Sequence, residues 1–450
     1  MLFRSLFLLF FVVSQAFLAQ KSIPEQLDDK VKQLLESEPM FSGSLSFYVT
    51  DENGNQIYDY QSKKGLSTAS TMKVFTAAAA LETLGKDYQY NTKIAFDGNL
   101  YITSNGDPTL GNDRFEGYKA ENFKQKVIEA IKKNKISKIS GDIIIDDTFF
   151  DFQKIPGGWP WNDMGNYYGA GVWGVNWREN VFEVNTFGKE IKNFSYLNDV
   201  KWVNELRTEG SSDKSIIYTA PYSYVAYING SLPAKAMKVS GAMPNPPKQL
   251  AIELAEELKK QNIDFKGKIM INSEKIINGE KPISFPDNKV ILEYKSPTLD
   301  KIVYWFLKKS VNLFGETFVK TMAKEKTGNP SFESGMKYLK SFWKDKGIDE
   351  RMINFVDGSG LSPQNYASAK AEVQALLWAK KQPWFSAYYD GFPVMGNGMK
   401  MKSGSIKDSR AFTGYHTSET GKNYVFSIIM NNYQATDLSN ALYNVLNVLK

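Results

Sequence analysis

Hydrophobic positions along the chain follow two periods, which predict an alternation of helices and strands. Apolar residues three and four positions apart are typical of amphipathic helices, and alternating apolar and polar residues are typical of strands. The segments with helical spacing are residues 24–36, 70–84, 120–136, 248–262, 299–326 as a helix pair, 331–347, 369–381 and 437–450. The segments with strand spacing are residues 43–61 and 93–110 as hairpins, 140–151, 180–245, 411–416 and 424–432.

The order of these elements predicts an α/β protein in which helices and strands form three layers. Asn53-Gly54 favours the tight turn of the first hairpin, and Asp437 is the expected N-cap of the closing helix. The middle third of the chain is richer in strand patterns, so we expect it to form a separate insertion. A length of 450 residues agrees with two or three domains.

Residues 155–178 follow neither period. Their sequence, IPGGWPWNDMGNYYGAGVWGVNWR, is rich in Gly, Trp, Tyr and Asn. A long irregular aromatic stretch in a compact protein favours a functional loop. The alternative is a loop that is held in place only by aromatic packing.

The first residues of the chain have the pattern of a secretory signal. Arg4 precedes an apolar run over residues 6–13, and small residues at Ala16 and Ala19 offer two cleavage positions. The run is shorter than the roughly 20 apolar residues that span a bilayer. We expect residues 1–19 to be a signal peptide, and the mature protein to be exported, periplasmic or secreted, without a transmembrane anchor.

The composition excludes several classes of chemistry. Without cysteine there is no disulfide, thiolate zinc site or cysteine nucleophile, and a histidine mechanism would have to use the single histidine, His416. We expect no metal and no cofactor. The net charge of +6 is small for 450 residues and no basic block stands out, so nucleic acid is not an expected partner. Weak contact with an anionic polymer or membrane surface stays open.

The sequence STASTMKVFTAAAALETL, residues 67–84, places Ser70 three residues before Lys73. On a helix such residues share a face, with Cβ atoms roughly 5–6 Å apart. A lysine can take the proton of a serine hydroxyl when burial lowers its pKa. Four alanines at residues 77–80 would allow the close packing that buries Lys73. The pair is a candidate nucleophile and base, and the alternative is an N-capped core helix.

Two further segments carry polar groups that suit the same chemistry. Ser310 and Asn312 would point a hydroxyl and an amide into one pocket from a turn between helices. Residues 402–405, Lys-Ser-Gly-Ser, offer a cation, a hydroxyl and a closely approachable backbone, which on an edge strand would bind a carboxylate and align an extended peptide. The alternatives are a helix cap for Ser310 and a solvated turn for Lys402.

In this order, S-x-x-K, S-x-N and K-[ST]-G resemble the signature of penicillin-binding proteins and serine β-lactamases. The chain looks similar to the D-alanyl-D-alanine carboxypeptidase/endopeptidase family typified by penicillin-binding protein 4, the S13-type DD-peptidases. Other segments that resemble this family are GDPTL (106–110), SGDIIIDD (140–147), GWPWND (158–163) and DGSGLSPQN (357–365). The long gap between Lys73 and Ser310 also resembles the family, which fills it with inserted domains.

The resemblance implies a transpeptidase/β-lactamase-like fold, in which a three-layer domain has helices on both faces of an antiparallel sheet and carries inserted β-rich domains. The catalytic domain would be discontinuous, with residues 20–92 and 288–450. The accessory region, residues 93–287, would form two subdomains, about 93–182 with 248–287, and 183–247.

The resemblance also implies a role for each motif residue. Ser70 would be the acylated nucleophile and Lys73 the base that activates it. Ser310 and Asn312 would relay protons and hold Lys73 and the substrate backbone. Lys402 would bind the terminal carboxylate of D-Ala and help to keep Lys73 neutral by charge repulsion.

The strand that starts at Lys402 would complete the substrate site. Ser403 stands where threonine is commoner in the family and keeps the hydroxyl, and Gly404 follows it. The backbone N–H groups of Ser405 and Ser70 would form the oxyanion hole. The next residues, IKDSRAF, replace the family's more usual glycine-containing stretch, and Arg410 within them is a candidate for the carboxylate pocket.

Asp163, in the segment GWPWND, matches an acidic residue that reaches the cleft in this family and would pair with the amino group of a diamino acid. The function implied is a peptidoglycan DD-peptidase that releases terminal D-Ala or cuts D-Ala-diaminopimelate cross-links, with β-lactams as covalent inhibitors. The alternatives are a serine β-lactamase and a non-catalytic cell-wall-binding protein that keeps the fold. A Ser-His-Asp esterase would need His416 and lacks a G-x-S-x-G elbow.

Overall fold

The computed structural model describes residues 21–195, 200–435 and 437–450, and the expected signal peptide lies outside them. The α-helices are α1 (Ile23–Leu35), α2 (Lys73–Leu84), α3 (Ala120–Lys133), α4 (Trp161–Met164), α5 (Pro246–Lys260), α6 (Asn272–Ile277), α7 (Leu299–Lys308), α8 (Asn312–Thr327), α9 (Phe332–Asp345), α10 (Ala369–Lys380), α11 (Phe385–Asp390) and α12 (Ser439–Leu446). Among the described residues, no helix has the length and apolar character needed to cross a membrane.

The strands follow the chain in the order β1 (Ser44–Asp51), β2 (Gln56–Tyr60), β3 (Asn91–Phe96), β4 (Leu100–Ser104), β5 (Lys138–Ile139), β6 (Ile143–Asp146), β7 (Val181–Phe187), β8 (Glu190–Ser195), β9 (Lys201–Thr208), β10 (Ile216–Tyr218), β11 (Val225–Leu232), β12 (Ala236–Ala242), β13 (Asp264–Phe265), β14 (Ile269–Ile271), β15 (Val290–Lys295), β16 (Ile353–Asn354), β17 (Tyr366–Ala367), β18 (Lys400–Ile406), β19 (Ser409–Thr417) and β20 (Asn423–Asn431).

The sheet beside the candidate site has the order β18-β19-β20-β1-β2, and all its neighbouring strands are antiparallel. Side chains alternate across it, as strand geometry requires. On β1, Phe47 and Val49 pack with residues of α1 and α12, whereas Tyr48 packs on the other face with α2, α7, α8 and α10. Helices therefore cover both faces, which confirms the predicted three-layer arrangement, and β18 lies at the edge of the sheet.

The middle of the chain forms further sheets, in agreement with its strand-rich pattern. One has the order β14-β6-β4-β3-β15 and packs against α3 and α5 around a core of isoleucine and leucine. Two three-stranded sheets, β12-β7-β8 and β10-β11-β9, share a smaller core. The predicted catalytic segment from residue 288 contains β15, which pairs with β3. The domain boundaries stay a prediction.

Most predicted elements are confirmed, and the differences are local. Both hairpins are present as β1–β2 and β3–β4. The closing helix begins at Ser439 and not at residue 437; Leu438 is its N-cap, although the Asp437 carboxylate accepts the Ser439 N–H at 2.8 Å. Helices α6 and α11 were not predicted because six residues are too few to show a helical period.

A buried ion pair links α8 to the segment after β6. The Lys320 side chain is 0% exposed and pairs with Asp151, whose side chain is 33% exposed. Lys320 Nζ also lies 4.3 Å from the centre of the Phe332 ring, so its charge has an aromatic face as a second partner. The helix that begins with Asn312 is thereby tied to the strand-rich part of the chain.

Lys320→Ala should lower the free energy of unfolding by about 2–4 kcal/mol, because it leaves Asp151 without its partner and opens a cavity beneath Phe332. Denaturant unfolding at neutral pH measures this loss. Lys326→Ala, at an exposed position on the same helix, is the matched control and should change stability by less than about 0.5 kcal/mol. Equal effects of the two substitutions would show that the buried pair contributes nothing to stability.

Candidate active site

Ser70 lies in a 3₁₀ turn, Ala69–Met72, that continues into α2. Ala69 has a φ of 46°, in the left-handed region that non-glycine residues rarely adopt. Two glycines allow other elements to approach this turn. A Cβ on Gly360 would lie 1.9 Å from the Ala69 carbonyl oxygen, and one on Gly404 would lie 3.0 Å from the Ser70 nitrogen. The turn is therefore packed between the loop that carries Gly360 and strand β18.

Lys73 is buried with 0% exposure at the start of α2, among alanines 77–80 that are equally buried. Its Nζ lies 2.9 Å from Ser70 Oγ, 2.7 Å from Asn312 Oδ1 and 2.6 Å from the Ser359 carbonyl oxygen. The Ser-x-x-Lys spacing thus brings hydroxyl and amine into contact. Since Ser70 is partly exposed, its hydroxyl is open to a ligand while the amine behind it is shielded from water.

Burial lowers the pKa of Lys73 to about 7, and the nearby carboxyl groups of Asp357 and Glu316 offset part of this effect. Burial, together with repulsion from Lys73, lowers the pKa of Lys402 well below its usual value. At neutral pH a large fraction of Lys73 is therefore the free amine.

Ser310 and Asn312 lie at the junction of α7 and α8, as predicted. Asn312 uses both ends of its amide, because Oδ1 accepts from Lys73 and Nδ2 donates to the Tyr168 carbonyl oxygen at 2.9 Å. Ser310 has a φ of 58°, and its buried Oγ has no hydrogen-bond partner among the described residues. Asn312 is thus integrated in the site, whereas the Ser310 hydroxyl is held in a strained turn without a bond of its own.

Strand β18 carries residues 402–405 along the other side of the Ser70 turn. Lys402 is 2% exposed, and its Nζ donates to the Ser403 carbonyl oxygen at 2.8 Å. A Cβ on Gly404 would lie 2.2 Å from the Thr68 carbonyl oxygen, so only glycine permits this approach. Ser405 is exposed at the rim. The solvated turn considered for Lys402 is therefore wrong, since the residue is buried within a strand.

Arg410 lies on β19 directly opposite Ser405. Its guanidinium carbon is 4.9 Å from the centre of the Phe412 ring, and its buried Nε has no hydrogen-bond partner among the described residues. The Arg410 charge also contributes to the lowered pKa of Lys402. This end of β18 therefore has a positive potential, and the Arg410 Nε–H group there is buried without a partner among the described residues.

Asp163 lies on the short helix α4, within the irregular aromatic segment. Its Oδ1 accepts a hydrogen bond from the Tyr168 hydroxyl at 3.1 Å, and burial raises the pKa of its carboxyl group. Trp161 on the same helix is 48% exposed and packs on Tyr218 with ring centres 5.9 Å apart. Because Tyr168 also contacts Asn312 through its carbonyl oxygen, Asp163 is joined to the site by a single intervening residue.

The structure adds three residues that were not predicted as members of the site. Ser359 presents its carbonyl oxygen to Lys73, Asp357 accepts several N–H groups of the same loop, and Glu316 accepts the Gly358 N–H at 2.9 Å. Two signals were available in the sequence. The DGSG segment contains Asp357 and Ser359, and Glu316 is four residues after Asn312, on the same face of a helix.

The described residues contain no cluster of His, Asp or Glu side chains that would hold a metal ion. His416 lies on β19 opposite Tyr424, beyond the Thr413 that faces Lys402. The hydroxyl of Ser70 is bonded to Lys73, so the arrangement pairs a serine hydroxyl with a buried amine.

Comparison with known proteins gives a match to a family model over nearly the whole chain. The model, described as the D-Ala-D-Ala carboxypeptidase 3 (S13) family, matches residues 27–449. A D-alanyl-D-alanine carboxypeptidase of Actinomadura sp. (strain R39) is 26% identical, covering 91% of this chain and 81% of the relative. The D-alanyl-D-alanine carboxypeptidase DacB of Haemophilus influenzae is 25% identical, covering 93% of this chain and 91% of the relative.

Solved structures show the same fold. The crystal structure of penicillin binding protein 4 (dacB) from Haemophilus influenzae superimposes with a TM-score of 0.75 at 22% identity, covering 93% of this chain and 97% of that chain. The same protein complexed with a novel β-lactam gives a TM-score of 0.69 at 21% identity, with coverage of 94% and 98%. The transpeptidase-like fold expected from the motifs is thereby confirmed, and the chain belongs to the D-Ala-D-Ala carboxypeptidase 3 (S13) family.

Proposed function

We propose that this protein is a serine DD-peptidase that hydrolyses the bond after D-Ala in peptidoglycan stem peptides. Its substrates are the terminal D-Ala-D-Ala of a stem and the D-Ala-diaminopimelate bond of a cross-link. Membership of the S13 family supports this activity. One observation carries the proposal: a buried amine with a pKa of about 7 lies 2.9 Å from the Ser70 hydroxyl.

The hydrogen bonds of Lys73 define how it acts as a base. A neutral amine has two N–H groups and one lone pair. The carbonyl oxygens of Asn312 and Ser359 accept from both N–H groups, so the lone pair is directed at the third neighbour, Ser70 Oγ. Lys73 then takes the Ser70 proton as Oγ attacks the carbonyl carbon of D-Ala.

The positions of the Ser70 turn, strand β18 and Ser310 support the proposed roles in binding the oxyanion and moving the proton. The backbone N–H groups of Ser70 and Ser405 bind the oxyanion, since β18 passes close to the Ser70 nitrogen at Gly404. As the C–N bond breaks, the proton on Lys73 passes to the leaving amine, with the unpartnered Ser310 hydroxyl as the relay. Water then attacks the acyl-enzyme, releasing the shortened peptide and returning the proton to Ser70.

The positive end of β18 is the proposed site for the substrate's terminal carboxylate. Lys402 supplies charge, and the hydroxyl of Ser403 and the N–H of Arg410 supply directed hydrogen bonds. An arriving carboxylate would favour the ammonium form of Lys402, whose pKa burial otherwise lowers. A substrate without a free carboxylate would lose this stabilisation.

Asp163 is the proposed partner for the free amino group of the diamino acid in the stem. Its carboxylate is half-buried and bonded to Tyr168, so it is held in place, and the exposed ring of Trp161 lies on the same helix to pack on the methylenes. The family's acidic residue in the matching segment supports this role. In this scheme the strand-rich part of the chain selects the stem peptide, and the three-layer part cleaves it.

The location that suits this substrate is outside the cytoplasmic membrane, in the periplasm or the medium. The signal pattern of residues 1–19 supports export. The homologous Haemophilus influenzae protein binds a β-lactam, and we propose β-lactams as covalent inhibitors here, through an ester with Ser70.

Defined muropeptides test the proposed function. Incubation of the purified protein with a pentapeptide stem and with a cross-linked dimer, followed by chromatography and mass spectrometry, should show loss of D-Ala or conversion of dimer to monomers. Rapid turnover of penicillin with intact muropeptides would instead identify a β-lactamase. Absence of both activities would favour a cell-wall-binding protein.

Ser70→Ala should abolish covalent labelling by a fluorescent penicillin, because no other hydroxyl in the site is bonded to Lys73 in the described structure. Labelling is followed by gel fluorescence over time. The melting temperature should stay close to that of the wild type, since the change removes one partly exposed oxygen. Labelling of the variant at the wild-type rate would show that Ser70 is not the nucleophile.

Acylation by penicillin should speed up as the pH rises through about 7, the pKa of Lys73. Below that pH the amine is protonated and cannot accept the Ser70 proton, and above it the free base predominates. Stopped-flow labelling across the pH range measures this rise in the acylation rate. Lys73→Arg should be nearly inactive throughout, because a guanidinium keeps its proton. A wild-type rate that does not rise between pH values of about 5 and 7 would contradict the role of Lys73.

Asp163→Asn should lower kcat/KM for stems with a free diamino acid amine by about 5- to 50-fold, the loss expected for one partly exposed charge contact. Penicillin acylation and the melting temperature should hardly change. Tyr168→Phe is the matched control, because it removes the hydrogen bond to Asp163 and keeps the carboxylate. If both variants lost stem hydrolysis and stability together, Asp163 would serve to hold the loop and not the substrate.

A further inference from the structure

A further buried acid, Glu372 on α10, contacts the turn that carries Ser70. Its side chain is 0% exposed. Oε1 lies 2.6 Å from the hydroxyl of Thr71, the residue after Ser70, and Oε2 lies 2.7 Å from the Ser427 hydroxyl on β20. The proposed acylation scheme does not use Glu372, although this acid contacts the residue next to Ser70 in the chain.

The hydroxyl of Thr71 has two close oxygen neighbours and a single proton. Its Oγ1 lies 2.6 Å from Glu372 Oε1 and 2.9 Å from the Thr68 carbonyl oxygen. A carbonyl oxygen only accepts and the hydroxyl has one proton, so both contacts are hydrogen bonds at the same time only if Glu372 is the donor to Thr71. A protonated carboxyl group satisfies both contacts, with Glu372 donating to Thr71 and Thr71 donating to Thr68.

The surroundings of Glu372 also favour its neutral form. Its polar neighbours are hydroxyl groups, from the Ser70 turn, from β19 at Thr413 and from β20 at Ser427. The titratable group that faces it from α11 is Tyr388, whose pKa burial raises well above its usual value, so this phenol is uncharged. A buried carboxylate without a cation is costly. Burial raises the pKa of Glu372 to about 7, and its hydroxyl neighbours offset part of this rise.

The turn that receives these bonds is strained and needs support. Ala69 has the left-handed φ of 46°, and Thr71 returns both its N–H and its hydroxyl to the Thr68 carbonyl oxygen. The Ser70 N–H, proposed for the oxyanion hole, lies inside this turn. We propose that protonated Glu372 is a positioning residue that holds the Thr68–Thr71 turn, and with it Ser70, in the geometry for acylation.

Ionisation of Glu372 would reverse the direction of one hydrogen bond. The carboxylate would accept the Thr71 proton, and the Thr68 carbonyl oxygen would lose its hydroxyl donor. The Ser70 turn would then be held by fewer bonds at alkaline pH, and acylation would slow. This effect opposes the gain from the free base of Lys73, so the wild-type rate should pass through a maximum.

The kinetic test rests on the proposed function and compares acylation by penicillin across the pH range. Glu372→Gln supplies an amide N–H to Thr71 at every pH, so its rate should stay high where the wild type declines. The expected excess is about 2- to 10-fold at alkaline pH, the worth of one neutral hydrogen bond, with an unchanged acid limb. Thr71→Ser should keep the decline, whereas Thr71→Val should be slow at all pH values. Parallel profiles of wild type and Glu372→Gln would overturn the proposal.

A second test does not depend on any catalytic activity. A carboxyl group with a raised pKa in the folded state stabilises the fold at low pH, and this contribution is lost as the pH rises through the folded value. The melting temperature of the wild type relative to Glu372→Gln should therefore fall between pH values of about 4.5 and 7, and then level off. A difference that is constant with pH would show that Glu372 is ionised in the fold, and would refute the proposal even if acylation were observed.

Discussion

The burial of Lys73 is the constraint on which the site depends. A lysine that acts as a base must lose its charge, which requires removal from water, yet it must still be able to take a proton. The direct partners of its Nζ are a hydroxyl and two carbonyl oxygens, all of them neutral. The carboxyl groups of Asp357 and Glu316 lie beyond these direct partners. From there they limit the lowering of the Lys73 pKa without forming an ion pair with its amine.

Asn312 makes the strand-rich region part of the site. Its Oδ1 accepts from Lys73, while its Nδ2 donates to the backbone of Tyr168 in the irregular aromatic segment. The amide can face only one way if both contacts are to be satisfied. Removal of the segment that carries Tyr168 would leave a buried amide donor unpaired next to Lys73, so this segment helps to hold Asn312 in place.

The sequence predicted the element order, the hairpins and the three motifs because each depends on local spacing. It did not predict Ser359 or Tyr168, since both act through backbone carbonyl oxygens and any residue type would serve. Glu316 was not predicted because a helical pattern of apolar residues does not distinguish a buried acid from an exposed one. The sequence does show that Glu316 is four residues after Asn312. The effect expected of Lys402 on the charge of Lys73 stays a prediction, because repulsion between two buried cations acts on both of them.

The site is assembled from parts of the chain that are far apart in sequence. The contacts of Lys73 with Asn312 and Ser359 span 239 and 286 positions. Contacts of this range close long loops, and the entropy lost in closing them makes their formation slow. A chain that is cut short before residue 312 therefore carries Ser70 and Lys73 without the carbonyl oxygens that bind the Lys73 amine. The set of bonds that holds the Lys73 amine is therefore complete only when the last third of the polypeptide has joined the first.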